Sequence, residues 1–184
     1  MRLKFYAALA VLAAPVAVHS APQAADDDIL NKIINVPAPS AYRVDGLKNK
    51  PSLRSDAAVQ GGKALRVSVP GKAENAWAIA LANPIQKPVK AGDALVLAFW
   101  ARLEKGEGGA TSTTLPYNGV QMATAPYTPL FTGPVTIGPE WKLQEVKGKA
   151  DKDYPAGALN VAIHLATAKQ IVDFGPVFVV NMGH

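Results

Sequence analysis

The chain has no cysteine. That excludes disulfides and a thiolate nucleophile, so a protein exported to an oxidising compartment must rely on its apolar core, or on a metal, for stability. Histidine is almost as scarce, with His19, His164 and His184 the three in the sequence. Histidine-cluster zinc sites are excluded with them, and no Gly-x-Ser-x-Gly elbow marks a nucleophilic serine. Charged residues make up 18% and aromatics 7%. The basic residues, among them Lys48, Lys50, Arg54, Lys87, Lys90, Lys147 and Lys149, are scattered through turns and strand ends. A nucleic-acid binder concentrates them on a stripe with stacking aromatics, so nucleic acid is not an expected partner.

What is present begins with a leader. Arg2 and Lys4 precede an apolar run from Phe5 to Val18, and Val18-His-Ser20 supplies small residues ahead of Ala21. This is the pattern of a secretory signal peptide over residues 1–20, and the run is too short to span a bilayer comfortably. A periplasmic or secreted chain with no membrane span after leader removal is expected. Loss of Arg2 and Lys4 takes the formal charge from +5 to +3.

Residues 21–40 read as a separate N-terminal segment. Ala21 to Asp28 is small and acidic, then Ile29, Leu30, Ile33 and Ile34 recur at helical spacing behind Asp28 as N-cap, so one short helix is expected over 28–34. Val36-Pro-Ala-Pro-Ser40 stops it. From Ala41 to the end the period is two, punctuated by turns such as Gly61-Gly62, Pro70-Gly71, Gly92-Asp93, Gly138-Pro139 and Gly157. This predicts a single all-β domain over 41–184, a sandwich or barrel, with strands near 41–46, 64–69, 75–82, 94–103, 118–124, 129–137, 142–148, 158–166 and 170–180. No internal repeat is visible.

Alternation assigns faces. Leu65, Val67 and Val69, then Leu95, Leu97 and Phe99, then Leu159, Val161, Ile163 and Leu165 are expected in the core. The opposite parity carries Trp100, Arg102, Asn160 and His164, expected to line one outer surface. Sugars are held in water by a flat aromatic for the C–H face of the ring and a few planar polar groups for its hydroxyls. Trp77, Trp100, Arg102, Gln121 and His164 are the candidates. Each has a structural alternative. Trp77 shares parity with Ile79 and Leu81 and would serve equally as a core residue; Trp100 and Trp141 suit packing; a lone mid-strand histidine such as His164 is commonly structural. Most carboxylates fall in turns, with Glu145 and Asp173 inside strands, so an acid–carboxylate pair for glycoside hydrolysis is thinly supplied.

Four segments together carry a family likeness: Asp93-Ala-Leu-Val-Leu-Ala-Phe-Trp-Ala-Arg102, Pro139-Glu-Trp-Lys142, Leu159-Asn-Val-Ala-Ile-His164 and Ile171-Val-Asp-Phe-Gly-Pro-Val-Phe178. Over roughly residues 60 to 180 the chain resembles the jelly-roll carbohydrate-binding modules of xylanases and related secreted glycanases, of the family 4, 9 and 22 type. The resemblance implies a two-sheet antiparallel jelly roll with a galactose-binding-like fold, a polysaccharide or oligosaccharide partner, and no cofactor other than a structural calcium. It places Trp77 where such modules often carry an aromatic, and Asp173 where an aspartate contacts sugar or calcium. The chain departs from the pattern at Ala41-Tyr-Arg-Val-Asp-Gly46, where those modules have an Asn-Gly-Gly-Phe-Glu-like strand.

Three functions follow. The first is a non-catalytic carbohydrate-binding protein. The second is a small jelly-roll enzyme, lyase or hydrolase, with His164 as base and Tyr117 or Tyr127 as acid. The third is an envelope assembly protein to which Ile29 to Ile34 contributes an exposed apolar stripe.

Overall fold

The computed structural model describes residues 29–184; the expected leader and the acidic stretch that follows it lie outside the described residues. Ten strands form: β1 (Arg43–Asp45), β2 (Ser52–Ser55), β3 (Lys63–Val69), β4 (Ala80–Pro84), β5 (Ala94–Lys105), β6 (Thr113–Met122), β7 (Pro129–Ile137), β8 (Lys142–Lys149), β9 (Leu159–His164) and β10 (Gln170–Gly183). They make two antiparallel five-stranded sheets, sheet I in the order β1-β4-β9-β6-β7 and sheet II in the order β2-β3-β10-β5-β8. The expected all-β sandwich is the observed one.

Alternation drives it. Leu95, Leu97, Phe99, Ala101 and Leu103 of β5 face inward and are buried, as are Leu159, Val161 and Ile163 of β9. The two inner faces meet as an apolar layer in which Phe99 lies 6.4 Å from Phe174, ring centroid to centroid. At the β7–β8 side the sheets close on each other so tightly that a Cβ at Gly148 would stand 2.2 Å from the Phe131 ring. The exposed edges are blunted by Pro129 and Pro134 on β7 and by Lys142, Lys147 and Lys149 on β8.

The N-terminal segment differs from expectation. Helix covers only Ile29 to Asn31 of the described residues. Ile33 then bridges Val180 and Asn35 bridges Ile85. The Val179 carbonyl accepts from Ile34 at 2.9 Å, while the Ile34 carbonyl accepts from Gln86 of the other sheet's margin at 2.8 Å. Buried Asn35 completes the stitch, donating to Asn83 (2.9 Å) and the Val177 carbonyl (2.7 Å) and accepting from the Val179 amide (2.7 Å). Unpaired backbone on β10 and burial of Ile34 outweigh the weak propensity of a single helical turn. Residues 33–37 therefore belong to the sandwich, which begins before Ala41.

Two strand expectations change. The short edge strand β2 has only Leu53 as an apolar residue, 55% exposed, so it carries no alternation to read. Ala76–Ala78 form a 3-10 turn before β4, which breaks the parity that linked Trp77 to Ile79 and Leu81; Trp77 is 61% exposed.

The expectation that Trp100, Arg102, Asn160 and His164 line one surface is overturned. Trp100 and Arg102 stand on β5 of sheet II, Asn160 and His164 on β9 of sheet I, so the pairs point out of opposite sides. Arg102 instead joins a network around Asp173, which pairs in register with Arg66 on one side and Arg102 on the other. The Asp173 carboxylate is fully buried and accepts from Arg66 (2.8 and 2.9 Å), Arg102 (3.0 and 3.1 Å) and Arg54 (3.1 Å). Glu104 balances Arg66 and Arg102 at 2.7 and 2.8 Å. Arg102 also lies 5.1 Å over the Trp141 ring, and Trp100 donates to Gln60 at 2.9 Å. These residues do not fit a calcium ion, because three guanidinium groups occupy the Asp173 oxygens. Asp45, the nearest counterpart of the family's N-terminal acid, pairs with Arg43 on the other sheet.

Two measurements test this architecture. Phe99→Ala is expected to lower unfolding stability by about 3–5 kcal/mol, since Phe99 is fully enclosed. Burial raises the Asp173 pKa, and the hydrogen bonds from Arg66 and Arg102 more than reverse it, so the group sits below its ordinary value. Its contribution is present above the unfolded pKa of about 3.9 and is lost as pH falls through the folded value. Asp173→Asn should cost about 3–5 kcal/mol at neutral pH. Denaturant melts should also show that it flattens the acid limb of the stability profile below about pH 4.

Candidate ligand-binding cleft

Register across sheet I sorts its outward positions into rows. The first contains Asp45, Ala80 and His164, with Tyr117 of β6 beside His164; the second Arg43, Ala82, Ala162 and Gly119; the third Pro84, Asn160, Gln121 and Pro129. Neighbouring rows on one face are about 7 Å apart. The middle row across β4, β9 and β6 is alanine, alanine and glycine. A Cβ at Gly119 would stand 2.1 Å from the Phe131 carbonyl oxygen, so no side chain can rise there. The result is a cleft of about 520 Å³ with a low floor and polar walls.

Loops add an aromatic at each rim. Hydrogen bonds from Leu165 to the Ile79 carbonyl (2.8 Å) and from Ala166 to the Ala76 carbonyl (3.0 Å) dock the Trp77 turn beyond the His164 end of β9. At the other end Ala123 donates to the Ala158 carbonyl at 2.9 Å and brings the β6–β7 loop alongside Asn160. Tyr127 in that loop has φ of 55° and is 55% exposed. Left-handed backbone at a residue other than glycine costs on the order of 1 kcal/mol, and here it accompanies a tyrosine on the cleft wall.

The polar groups are pre-set. The Tyr117 and His164 rings stack face to face, 4.0 Å between centroids and 8° between planes. Tyr117 donates its hydroxyl to Gln121 Oε1 at 2.7 Å, which leaves the Gln121 amide N–H groups as donors. The neighbouring Asn160 Oδ1 is enclosed and has no hydrogen-bond partner among the described residues. Burial lowers the His164 pKa and raises that of Tyr117, so both rings are uncharged at neutral pH. Arg43 and Asp45 neutralise each other at 2.9 Å on the β1 side. The cleft can therefore stack and hydrogen-bond a neutral ligand. Its stacked His164 and Tyr117 do not share a proton-transfer hydrogen bond.

Of the ligand-binding candidates from sequence, Trp77, Gln121 and His164 converge here, together with Asn160, expected on the same face as His164, and with Tyr117 and Tyr127, the tyrosines of the enzyme reading. Trp100, Arg102 and Asp173 lie on the far side of the sandwich. The floor was missed. Its signal was the run of small residues at outward parity, Ala80, Ala82, Ala162 and Gly119, which a search for large functional groups passes over.

Solved structures of other proteins share this architecture. The second N-terminal cellulose-binding domain of Cellulomonas fimi β-1,4-glucanase C matches with a TM-score of 0.59 at 19% identity, over 83% of this chain and 95% of that one. The C-terminal family 22 carbohydrate-binding module of a Clostridium thermocellum xylanase matches at 0.56 and 17%, over 83% and 96%. A family 4 module matches at 0.56 and 12%, over 78% and 96%. This is the fold of family 4 and family 22 carbohydrate-binding modules. No protein-family model and no curated protein sequence matches the chain.

The half-buried stack has a direct spectroscopic test. His164 should titrate below the ordinary imidazole value of about 6.5 in an NMR pH series. Tyr117→Ala, which uncovers the ring, should move it back toward that value.

Proposed function

We propose that the chain is an exported, non-catalytic carbohydrate-binding protein that holds a neutral polysaccharide or oligosaccharide in the cleft of sheet I. The observation that carries this reading is the convergence of Trp77, Tyr127, Gln121, Asn160 and His164 around a side-chain-free floor. Rings at the rims supply stacking surface, and the amides supply hydroxyl partners on rigid strands. The leader pattern at residues 1–20 supports export. The fold likeness to modules described as cellulose-binding and xylan-binding supports the ligand class. The enzyme reading is kept for the assay to decide: Tyr117 donates its hydroxyl to Gln121 and meets His164 ring face to ring face, while Tyr127, the other tyrosine of that reading, stands on the same cleft wall.

The test is retention on a panel of insoluble and soluble glycans, with released reducing ends and unsaturated products assayed in parallel. Retention without product is expected. Trp77→Ala should weaken it by up to about tenfold, because an aromatic contact contributes about 0.5–1.5 kcal/mol beyond area burial. The same change should leave stability within about 0.5 kcal/mol, since Trp77 is mostly exposed. Product formation abolished by His164→Ala would replace the proposal with the enzyme, and no retention on any glycan would refute it.

A further inference from the structure

The outer face of sheet II is divided. Around Asp173 it is ionic, but beyond that cluster the outward residues turn apolar: Val96 and Ala98 on β5, Phe178, Val180 and Met182 on β10, and Leu143 on β8. With the turn at Ile29 and Leu30 they line a groove of about 380 Å³. Eight large apolar side chains are exposed among the described residues. Two of them, Trp77 and Tyr127, belong to the sugar cleft, and four, Ile29, Leu30, Leu143 and Met182, gather here. Such clustering on a soluble domain marks an interaction surface. Its centre lacks planar polar groups, so a sugar would leave its hydroxyls without partners there.

The register of the strands says what fits. One outward row runs Glu145, Ala98, Phe178 and the next runs Lys147, Val96, Val180. A two-fold axis lying in the contact plane, across the strands and between these rows, superposes one row on the other. It sets Glu145 against Lys147 of the second copy, Ala98 against its Val96 and Phe178 against its Val180. Charges meet opposite charges and a small residue meets a larger one at all positions of the pair of rows. Self-complementarity of this kind is the requirement for an isologous contact. Sheets pack face to face about 10 Å apart, a separation that side chains of this size fill.

We infer that this face is a homodimer interface, in which two copies stack sheet II against sheet II and leave both sugar clefts facing outward. The inference is independent of what the cleft binds. Glu145 and Lys147 also pair within one chain at 3.1 Å, with both side chains exposed, so the charge can be altered without touching the core.

The experiment is sedimentation equilibrium on the purified chain, with circular dichroism as a check of folding. The unaltered chain is expected at twice its monomer mass. Glu145→Lys and Lys147→Glu each place like charges across the axis and should weaken the dimer at least about tenfold. The double exchange, which recreates opposite pairs, should restore it. A monomer at every concentration up to the solubility limit overturns the inference, as does a dimer indifferent to both single changes or a double exchange that fails to recover association. Glycan retention per chain, measured on the same variants, should not move.

Discussion

The contact between the two inner sheet faces is what the rest of the molecule depends on. With no disulfide available, cohesion comes from alternate residues of β5 and β10 meeting those of β4, β6 and β9. Phe99, Phe174, Leu81 and Ile163 are enclosed at its centre. Burial of this layer determines which side of every strand is inward. It thereby leaves each outer face free to vary, because outward residues contribute little to the core they help to frame.

The two outer faces have taken opposite chemistry. Sheet I carries small residues in its middle row and polar or aromatic groups around them, so its surface is depressed and rimmed by polar groups. Sheet II carries a buried carboxylate held by three arginines beside an apolar field. The arginine network illustrates why a charged residue inside a strand is a poor guide to ligand binding. An aspartate in the middle of a sheet has to be compensated, and once Arg54, Arg66 and Arg102 do so it has no free oxygen for a metal or a sugar.

Within the cleft, strands and loops divide the work. Gln121, Asn160 and His164 stand on paired strands, where register holds them in place, and Tyr117 further restrains two of them by a stack and a hydrogen bond. Trp77 and Tyr127 stand on a 3-10 turn and a hairpin loop, where aromatic rings can project from the rims. Uncharged His164 and Tyr117 rings and a closed Arg43–Asp45 pair leave no unpaired charge among the side chains that line the cleft, which suits hydroxyl-rich neutral ligands over charged ones.

The inward faces of the long strands β3, β5 and β9 were legible because period-two alternation is local: the parity of Leu97, Phe99, Val161 and Ile163 requires no knowledge of neighbours. The Trp77, Gln121 and His164 candidates were legible for a similar reason, as isolated polar or aromatic residues among apolar ones. Parity, however, distinguishes in from out and is silent on which sheet a strand joins. Only long-range pairing decided that Trp100 and Arg102 leave the side opposite to His164. Pairing also converted Ile33 and Ile34 from the end of the expected helix into part of a stitch between the sheets, since β10 offered unpaired backbone that a short helix could not outcompete. The sequence by itself determined the alternation and the supply of groups. The tertiary structure alone decided their company, because the cleft floor and the Asp173 network are made by residues far apart in the chain whose meeting depends on sheet order.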